Sequence, residues 1–354
     1  MQSVPTLILK DPIFIQHDPG PSHPESPHRL ETIYSGVTAL LESEGYGGEY
    51  RIIAPRDATM EELSWNHHPD YIQRIARTSG IDHYQLDPDT ATSARSWEAA
   101  IKAAGGVFSL IDRLMDGQGR NGFALVRPPG HHAERDRAMG FCLFNNVALG
   151  AHYAMKIYGL KKVVIIDWDL HHGNGTQHSF YSSDSVLYFS THQFPYYPGT
   201  GALNEVGQGD GTGFTVNVPL GAGKDDSDYS AIFSQLVRPV VHEFKPDIIL
   251  VSAGFDIYHR DPLGGMAVSG RGFGLLAAHV LKMARECCSG RVIFCLEGGY
   301  NLAGLRDGVL EVLKACRYSR EKMDKILDRA RTAEKSFREL DSAISFHSRY
   351  WPVA

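Results

Sequence analysis

Asp167, Asp169 and His171 alternate along "VVIIDWDLHHGNGT" (Val163 to Thr176), directly after four β-branched residues. In an extended chain, residues at i, i+2 and i+4 point to one side. Continued strand geometry would put two carboxylates and an imidazole on one face, where a neighbouring carboxylate and imidazole can chelate a metal ion. Asp256, ending another apolar run, can supply a third ligand. Three ligands of mixed oxygen and nitrogen type leave positions open for water and substrate, as catalytic zinc requires. Iron(II) or cobalt would accept the same set, and zinc is the expectation kept here. The bland account makes these residues helix caps and turn formers.

His131 and His132 follow "VRPPG", and two prolines with a glycine make a rigid turn that fixes where the imidazoles point. Two adjacent histidines beside a metal suit proton transfer, one as base toward water and one as donor to a leaving group. Each needs a partner on its second ring nitrogen, and Asp167 and Asn174 are the candidates. Tyr300, in "LEGGYN", can donate a hydrogen bond to a carbonyl oxygen and stabilise the oxyanion formed on attack. Together these groups describe metal-assisted hydrolysis of an amide or ester, without naming the substrate.

Each of these groups ends an apolar run: "FALVRPPGHH", "VVIIDWDLHH", "VLYFSTH", "DIILVSAGFD" and "VIFCLEGGYN". Helical patterns begin at Ser96, Asn145, Tyr229 and Gly272 between those runs. Alternation of this kind predicts a single α/β domain over residues 1–354, with a mostly parallel central sheet and helices on both faces. In such sheets the active site lies beyond the C-terminal ends of the strands. From Ser319 onward, Met323, Ile326, Leu327, Ala330, Ala333, Phe337, Leu340 and Ile344 recur at helical spacing. That pattern predicts an amphipathic helix at about 319–345, packed on the outside of the domain.

Composition excludes some partners. With 35 Lys+Arg against 41 Asp+Glu, the net charge of −6 gives no basic surplus for a phosphate backbone, so direct nucleic-acid binding is not expected. The amino terminus is broken by Pro5, Lys10, Asp11 and Pro12, which denies it the apolar core of a secretory signal. No run approaches the roughly 20 apolar residues that cross a bilayer. The five cysteines show no C-x-x-C spacing, so neither a disulfide framework nor a cysteine zinc site is expected, and the cytoplasm is the expected compartment.

Taken together, "RPPGHH" (Arg127 to His132), "GFCLFNN" (Gly140 to Asn146), "DWDLHHGNGT" (Asp167 to Thr176), "YYPGTG" (Tyr196 to Gly201), "SAGFD" (Ser252 to Asp256) and "LEGGYN" (Leu296 to Asn301) resemble the zinc-dependent histone deacetylase family. That family includes acetylpolyamine amidohydrolases and has the arginase/deacetylase fold. The resemblance implies that Asp169, His171 and Asp256 bind one zinc ion. It makes His132 the general base and then acid, His131 its electrostatic or proton-donating companion, Asp167 the partner of His131, and Tyr300 the group that polarises the acyl carbonyl. Phe141 and Tyr197, with Gly140 and Gly299, would line a narrow tunnel for an acyl-lysine chain.

"HPESPHRL" (His23 to Leu30) and Asn174 resemble the class II branch and its bacterial relatives. A neutral amide beside His132 stabilises its protonated form less than a carboxylate would, leaving a weaker but usable base. The resemblance also implies structural potassium: one ion at Asp167, Ser190 and Thr191 with the backbone of Asp169 and His171, and a second around Phe180, Ser183, Val186 and Phe214. A rim acid, Asp87 or Asp89, would grip the substrate backbone.

The implied activity is removal of acetyl or other short acyl groups from lysine in proteins or peptides. The alternative is hydrolysis of acetylated polyamines or other small amides, for which Asp87, Asp89 or Glu134 would meet the second ammonium. A module that only binds acyl-lysine is disfavoured because every expected catalytic group is present. Arginase-type chemistry with two manganese ions needs more bridging carboxylates. The sequence leaves the oligomeric state open, with a homodimer or a homotetramer as the forms considered.

Overall fold

The computed structural model describes residues 4–43 and 48–353. Among these described residues ten strands form: β1 (Thr6–Leu9), β2 (Tyr50–Ile53), β3 (Tyr84–Asp87), β4 (Thr90–Thr92), β5 (Asn121–Ala124), β6 (Val163–Asp167), β7 (Val186–Gln193), β8 (Thr215–Leu220), β9 (Ile248–Ala253) and β10 (Val292–Leu296). β3 and β4 make a small antiparallel hairpin. The other eight form one parallel sheet in the order β2-β1-β5-β10-β9-β6-β7-β8. The five strands whose ends carry polar residues, β5, β10, β9, β6 and β7, are contiguous in its middle.

β6, β9 and β10 are buried along their whole length, as expected of strands covered on both faces. Gly122, Ile293 and Leu250 lie side by side in register, and this row faces the helices Ser96–Met115 and Asn146–Tyr158. A Cβ at Gly122 would strike Leu110, and one at Gly150 would press on Val107 and approach Leu250. The next row, Phe123 and Phe294, faces the other way, toward Phe255 and through it Phe273 of the helix Gly270–Cys287. Each large apolar side chain buried in these rows contributes roughly 1.5–3 kcal/mol, which fixes the strands that aim the polar ends.

Two helical expectations are revised. The pattern from Tyr229 becomes Asp226–Ile232, a π-helical turn at Phe233–Val237, and Arg238–Phe244. Pro239 lacks an N–H and its ring crowds the preceding turn, which the wider π turn accommodates. The tail is two helices, Arg320–Arg331 and Arg338–His347, in place of one over 319–345. Glu334 turns inward to accept from Ser230 Oγ at 2.9 Å and Ser234 Oγ at 2.7 Å, and Phe337 is extended. Those tethers interrupt the helical path. No helix among the described residues is long and apolar enough to cross a membrane.

Candidate active site

β6 ends at Asp167, and the chain then leaves extended geometry. The expectation of three ligands on one strand face therefore fails for Asp167. Its Oδ1 accepts from the Asp169 amide at 3.1 Å, and its Oδ2 accepts from the Tyr188 hydroxyl at 3.0 Å. Asp169 and His171 do converge, together with Asp256 from the end of β9. His171 Nδ1 lies 3.2 Å from Asp169 Oδ1 and 3.1 Å from Asp256 Oδ2, and one ligand atom from each residue falls within a 4.8 Å cluster. Backbone amides hold the carboxylates from behind: Gly298 donates to Asp169 Oδ2 and Leu170 to Asp256 Oδ1, both at 2.8 Å. Gly298 must be glycine, because a Cβ would sit 2.3 Å from Asp256 Oδ2.

Both carboxylates are fully buried, and among the described residues neither forms a salt bridge with a lysine or arginine. Burial and then the charge of Asp169 push the Asp256 carboxyl up to about 7. Burial opposes a charge on His171, yet its bonds to Asp169 and Asp256 push it up to about 9. Two buried acids and one imidazole without a fixed cation form a donor set that fits a divalent metal.

The two adjacent histidines have different surroundings. His131 Nδ1 is 3.0 Å from Asp167 Oδ2, and the amides of Gly130 and His131 donate to Glu297 Oε2 at 2.6 and 3.2 Å. Burial disfavours a charge there, but Asp169 and Asp167 outweigh it and push His131 up to about 10. His132 Nδ1 is 2.8 Å from Asn174 Oδ1. Burial, followed by repulsion from His131 and His171, holds His132 well below the ordinary histidine range. The pair, with ring centres 4.0 Å apart, is thus divided into a charged and a neutral imidazole.

A cavity of about 290 Å³ leads down to these groups, with His132 and His171 at its base and Phe141, Tyr196, Tyr197 and Tyr300 around it. Tyr197 meets the His132 ring edge-on at 5.2 Å, and Phe141 meets Tyr300 edge-on at 5.8 Å. Gly140 adopts φ +57, and a Cβ there would lie 2.3 Å from the His132 ring. Gly299, at φ +115, lets the turn bring Tyr300 forward; its carbonyl accepts from Arg29 Nε at 2.7 Å. The Arg29 guanidinium lies 5.1 Å from the centre of the Tyr300 ring. Asp261 Oδ2 accepts from the amides of Tyr300 and Asn301 at 2.7 and 3.0 Å.

Of the rim acids, Asp89 lines the cavity and accepts from the Gly140 amide at 3.1 Å, whereas Asp87 accepts from the Asp89 amide and lines a separate hollow with Arg74 and Arg137. Glu134 is not at the mouth. It faces Asn174 and His178 behind His132, because the turn after His132 carries it inward. Asp167 and Ser190 are cross-strand neighbours, and Thr191 Oγ1 is buried with no hydrogen-bond partner among the described residues. Around the second cation position, the carbonyls of Phe180 and Phe214 already accept from the amides of Ser183 and Tyr188, both at 2.9 Å, and Val186 begins β7.

Sequence reasoning missed Tyr188, Glu297, Gly298 and Arg29 and, on the cavity wall, Leu263 and Tyr196, whose ring stacks on His171 at 5.7 Å. Glu297 and Gly298 stand inside "LEGGYN" and Tyr196 inside "YYPGTG", so adjacency to chosen residues was the available signal. Tyr188 sits in an apolar strand and carried none.

The chain has known relatives. A profile of the histone deacetylase domain matches residues 23–316. "Histone deacetylase 10, chloroplastic" of Oryza sativa subsp. japonica is 38% identical over 307 residues, covering 83% of this chain and 69% of its own. A "probable deacetylase" of Archaeoglobus fulgidus is 35% identical over 354 residues, 96% of each chain. The crystal structure of the HDA15 HD domain superposes with a TM-score of 0.87 at 34% identity, covering 99% of this chain and 96% of that one. The chain belongs to the histone deacetylase family.

Proposed function

We propose that the protein is a zinc-dependent amidohydrolase that removes acetyl or other short acyl groups from the ε-amino group of lysine in proteins or peptides. The observation that carries this reading is the buried Asp169, His171 and Asp256 cluster at the base of a cavity whose walls present His132 and Tyr300. Asp169, His171 and Asp256 would hold the zinc ion, which would supply Lewis acidity there. His132, neutral and donating Nδ1–H to Asn174, keeps its Nε2 lone pair for the proton of the attacking water and later returns that proton to the lysine amine. His131, held cationic beside Asp167, offsets negative charge developing nearby. The Tyr300 hydroxyl donates to the acyl oxygen as it becomes an oxyanion. Phe141 and Tyr197 flank a slot whose apolar walls suit a methylene chain.

Potassium at Asp167, Ser190 and Thr191 is part of this proposal, supported by the adjacent strand ends and the orphaned Thr191 hydroxyl. A second potassium around Phe180, Ser183, Val186 and Phe214 would share two carbonyls, those of Phe180 and Phe214, with the backbone amides they already accept from. The cytoplasm remains the proposed compartment, supported by five free cysteines and tested by cell fractionation.

Asp89 favours a second reading, in which the cavity takes an acylated polyamine and the rim acid meets its distal ammonium. Incubating the zinc-loaded protein with an acetyl-lysine peptide or with N-acetylputrescine, and measuring acetate, separates the two. Faster peptide cleavage that disappears on chelation supports the lysine reading; faster cleavage of acetylputrescine replaces it with the second. No acetate from either, with zinc bound, overturns both as deacetylase readings.

A further inference from the structure

Behind His132 a chain of hydrogen bonds runs outward to the surface. Asn174 Nδ2 donates to Glu134 Oε1 at 2.5 Å, and Glu134 Oε1 and Oε2 lie 2.9 and 3.1 Å from Nδ1 of the half-exposed His178. The Glu134 side chain is only 10% exposed, deeper than a surface ion pair with His178 requires. The same amide nitrogen faces the His132 carbonyl at 3.3 Å and the Met139 sulfur at 3.4 Å. Every group around Nδ2 is therefore an acceptor. Rotating the amide by half a turn would set Oδ1 against a carboxylate and a carbonyl, so Oδ1 must face the imidazole.

An oxygen at that place accepts only from a protonated Nδ1. We infer that Glu134 is a positioning residue of the hydrolysis: through Asn174 it locks His132 in the Nδ1–H tautomer and so reserves Nε2 for the cavity. The inference rests on the reading of His132 as the base. A carboxylate one residue removed thus orients and polarises a neutral amide, which reaches the ring as a stronger acceptor than an isolated asparagine would. Asn174 taken alone would leave a weak dyad; Asn174 with Glu134 behind it makes a charged one at one remove.

A charge swap tests this. Glu134→Gln, Asn174→Asp and the double variant are compared for acetate release from an acetyl-lysine peptide, and ¹⁵N imidazole spectra of the metal-free proteins report the His132 tautomer, assigned with His132→Gln. Glu134→Gln should lower kcat about tenfold with KM nearly unchanged, the range seen for outer partners of a catalytic group, and should mix the tautomers. Asn174→Asp should also lose activity, because two carboxylates then meet at the 2.5 Å contact. The double variant should recover most of the loss: the amide introduced at position 134 donates to the carboxylate introduced at position 174, which accepts from Nδ1–H of His132. Glu134→Asp, which withdraws the carboxylate by one methylene, should behave as Glu134→Gln and serves if that variant does not fold. An unchanged kcat and tautomer in Glu134→Gln, or a double variant no better than the product of the single losses, overturns the inference. If the wild type cleaves no acyl amide, the amidohydrolase reading fails, and the tautomer spectra still decide the role of Glu134.

Discussion

Two clusters of buried charge share the turn at Glu297 to Tyr300, and they solve burial in opposite ways. In one, Glu25 bonds Arg29 Nη1 at 2.9 Å and Arg127 Nη2 at 2.7 Å, while spare guanidinium N–H groups reach carbonyls of Phe14, His17, Glu297 and Gly299. Burial opposes a charge on Glu25, but Arg127 foremost holds its carboxyl well below the usual range. In the other, Asp169 and Asp256 face His171 and backbone amides, with His131 Nε2 3.7 Å from Asp169 Oδ1, and no lysine or arginine among the described residues pairs with either. A closed set of charges is a structural element; an open, like-charged set is poised for a cation.

Removing a carboxylate should therefore act in opposite directions on the two clusters. Asp256→Asn should abolish zinc uptake and cut deacetylation by more than about 100-fold, beyond what loss of a supporting residue costs, yet leave the metal-free protein as stable as before or more so. Metal analysis and thermal melts read both halves, and a large loss of metal-free stability would break the comparison. Glu25→Gln should destabilise by about 3–5 kcal/mol in urea unfolding, because two guanidinium ions lose their buried partner. The depressed carboxyl of Glu25 gives stability above the ordinary carboxylate range that is lost as pH falls through the depressed value, so this variant should also show a flatter acid limb.

Tyr300 stands where the clusters meet, with Arg29 under its ring and the cavity beside it. Tyr300→Phe should lower kcat by about 10²–10³ as an oxyanion donor is lost, with an unchanged melting temperature; a stability loss instead would assign the tyrosine to the closed cluster. Asp89→Asn is the mildest change. Asp89 is half-buried, and Asn keeps an oxygen for the Gly140 amide while losing the charge, so an ion pair worth about 0.2–1 kcal/mol is lost and KM should rise a few-fold, more for N-acetylputrescine than for a peptide in a side-by-side titration.

Much of the site could be read from the chain because its residues end apolar runs. Parallel strands align their ends whatever the connections do, so Asp169, His171, Asp256, His131, His132 and Tyr300 met as expected. Residues that depend on loop paths could not be placed. Asp87 ends β3 and Asp89 sits in the turn before β4, and the path of that hairpin, with a register shift between Gln85 and Asp87, is announced by no residue type. Glu134 lies two positions beyond His132, and only the turn decides whether it faces solvent or Asn174. Asp167 failed the alternation rule because the strand stopped there. The tail kept its helical period but lost its continuity to an inward glutamate, a tertiary contact invisible to periodicity.

The order of strands carries a consequence for synthesis. β2, β1 and β5 form one half of the sheet and β6, β7 and β8 the other, and only β10 and β9, the last two strands made, join them. A nascent chain that has emerged as far as β8 therefore holds His131 and His132 on one fragment and Asp169 and His171 on another, with Asp256 still 85 residues beyond His171. Each fragment exposes an unpaired parallel edge to the ribosome's surroundings. The Asp169, His171 and Asp256 cluster closes when β9 pairs with β6, and His131 and His132 join it only when β10, the last strand, links β5 to β9.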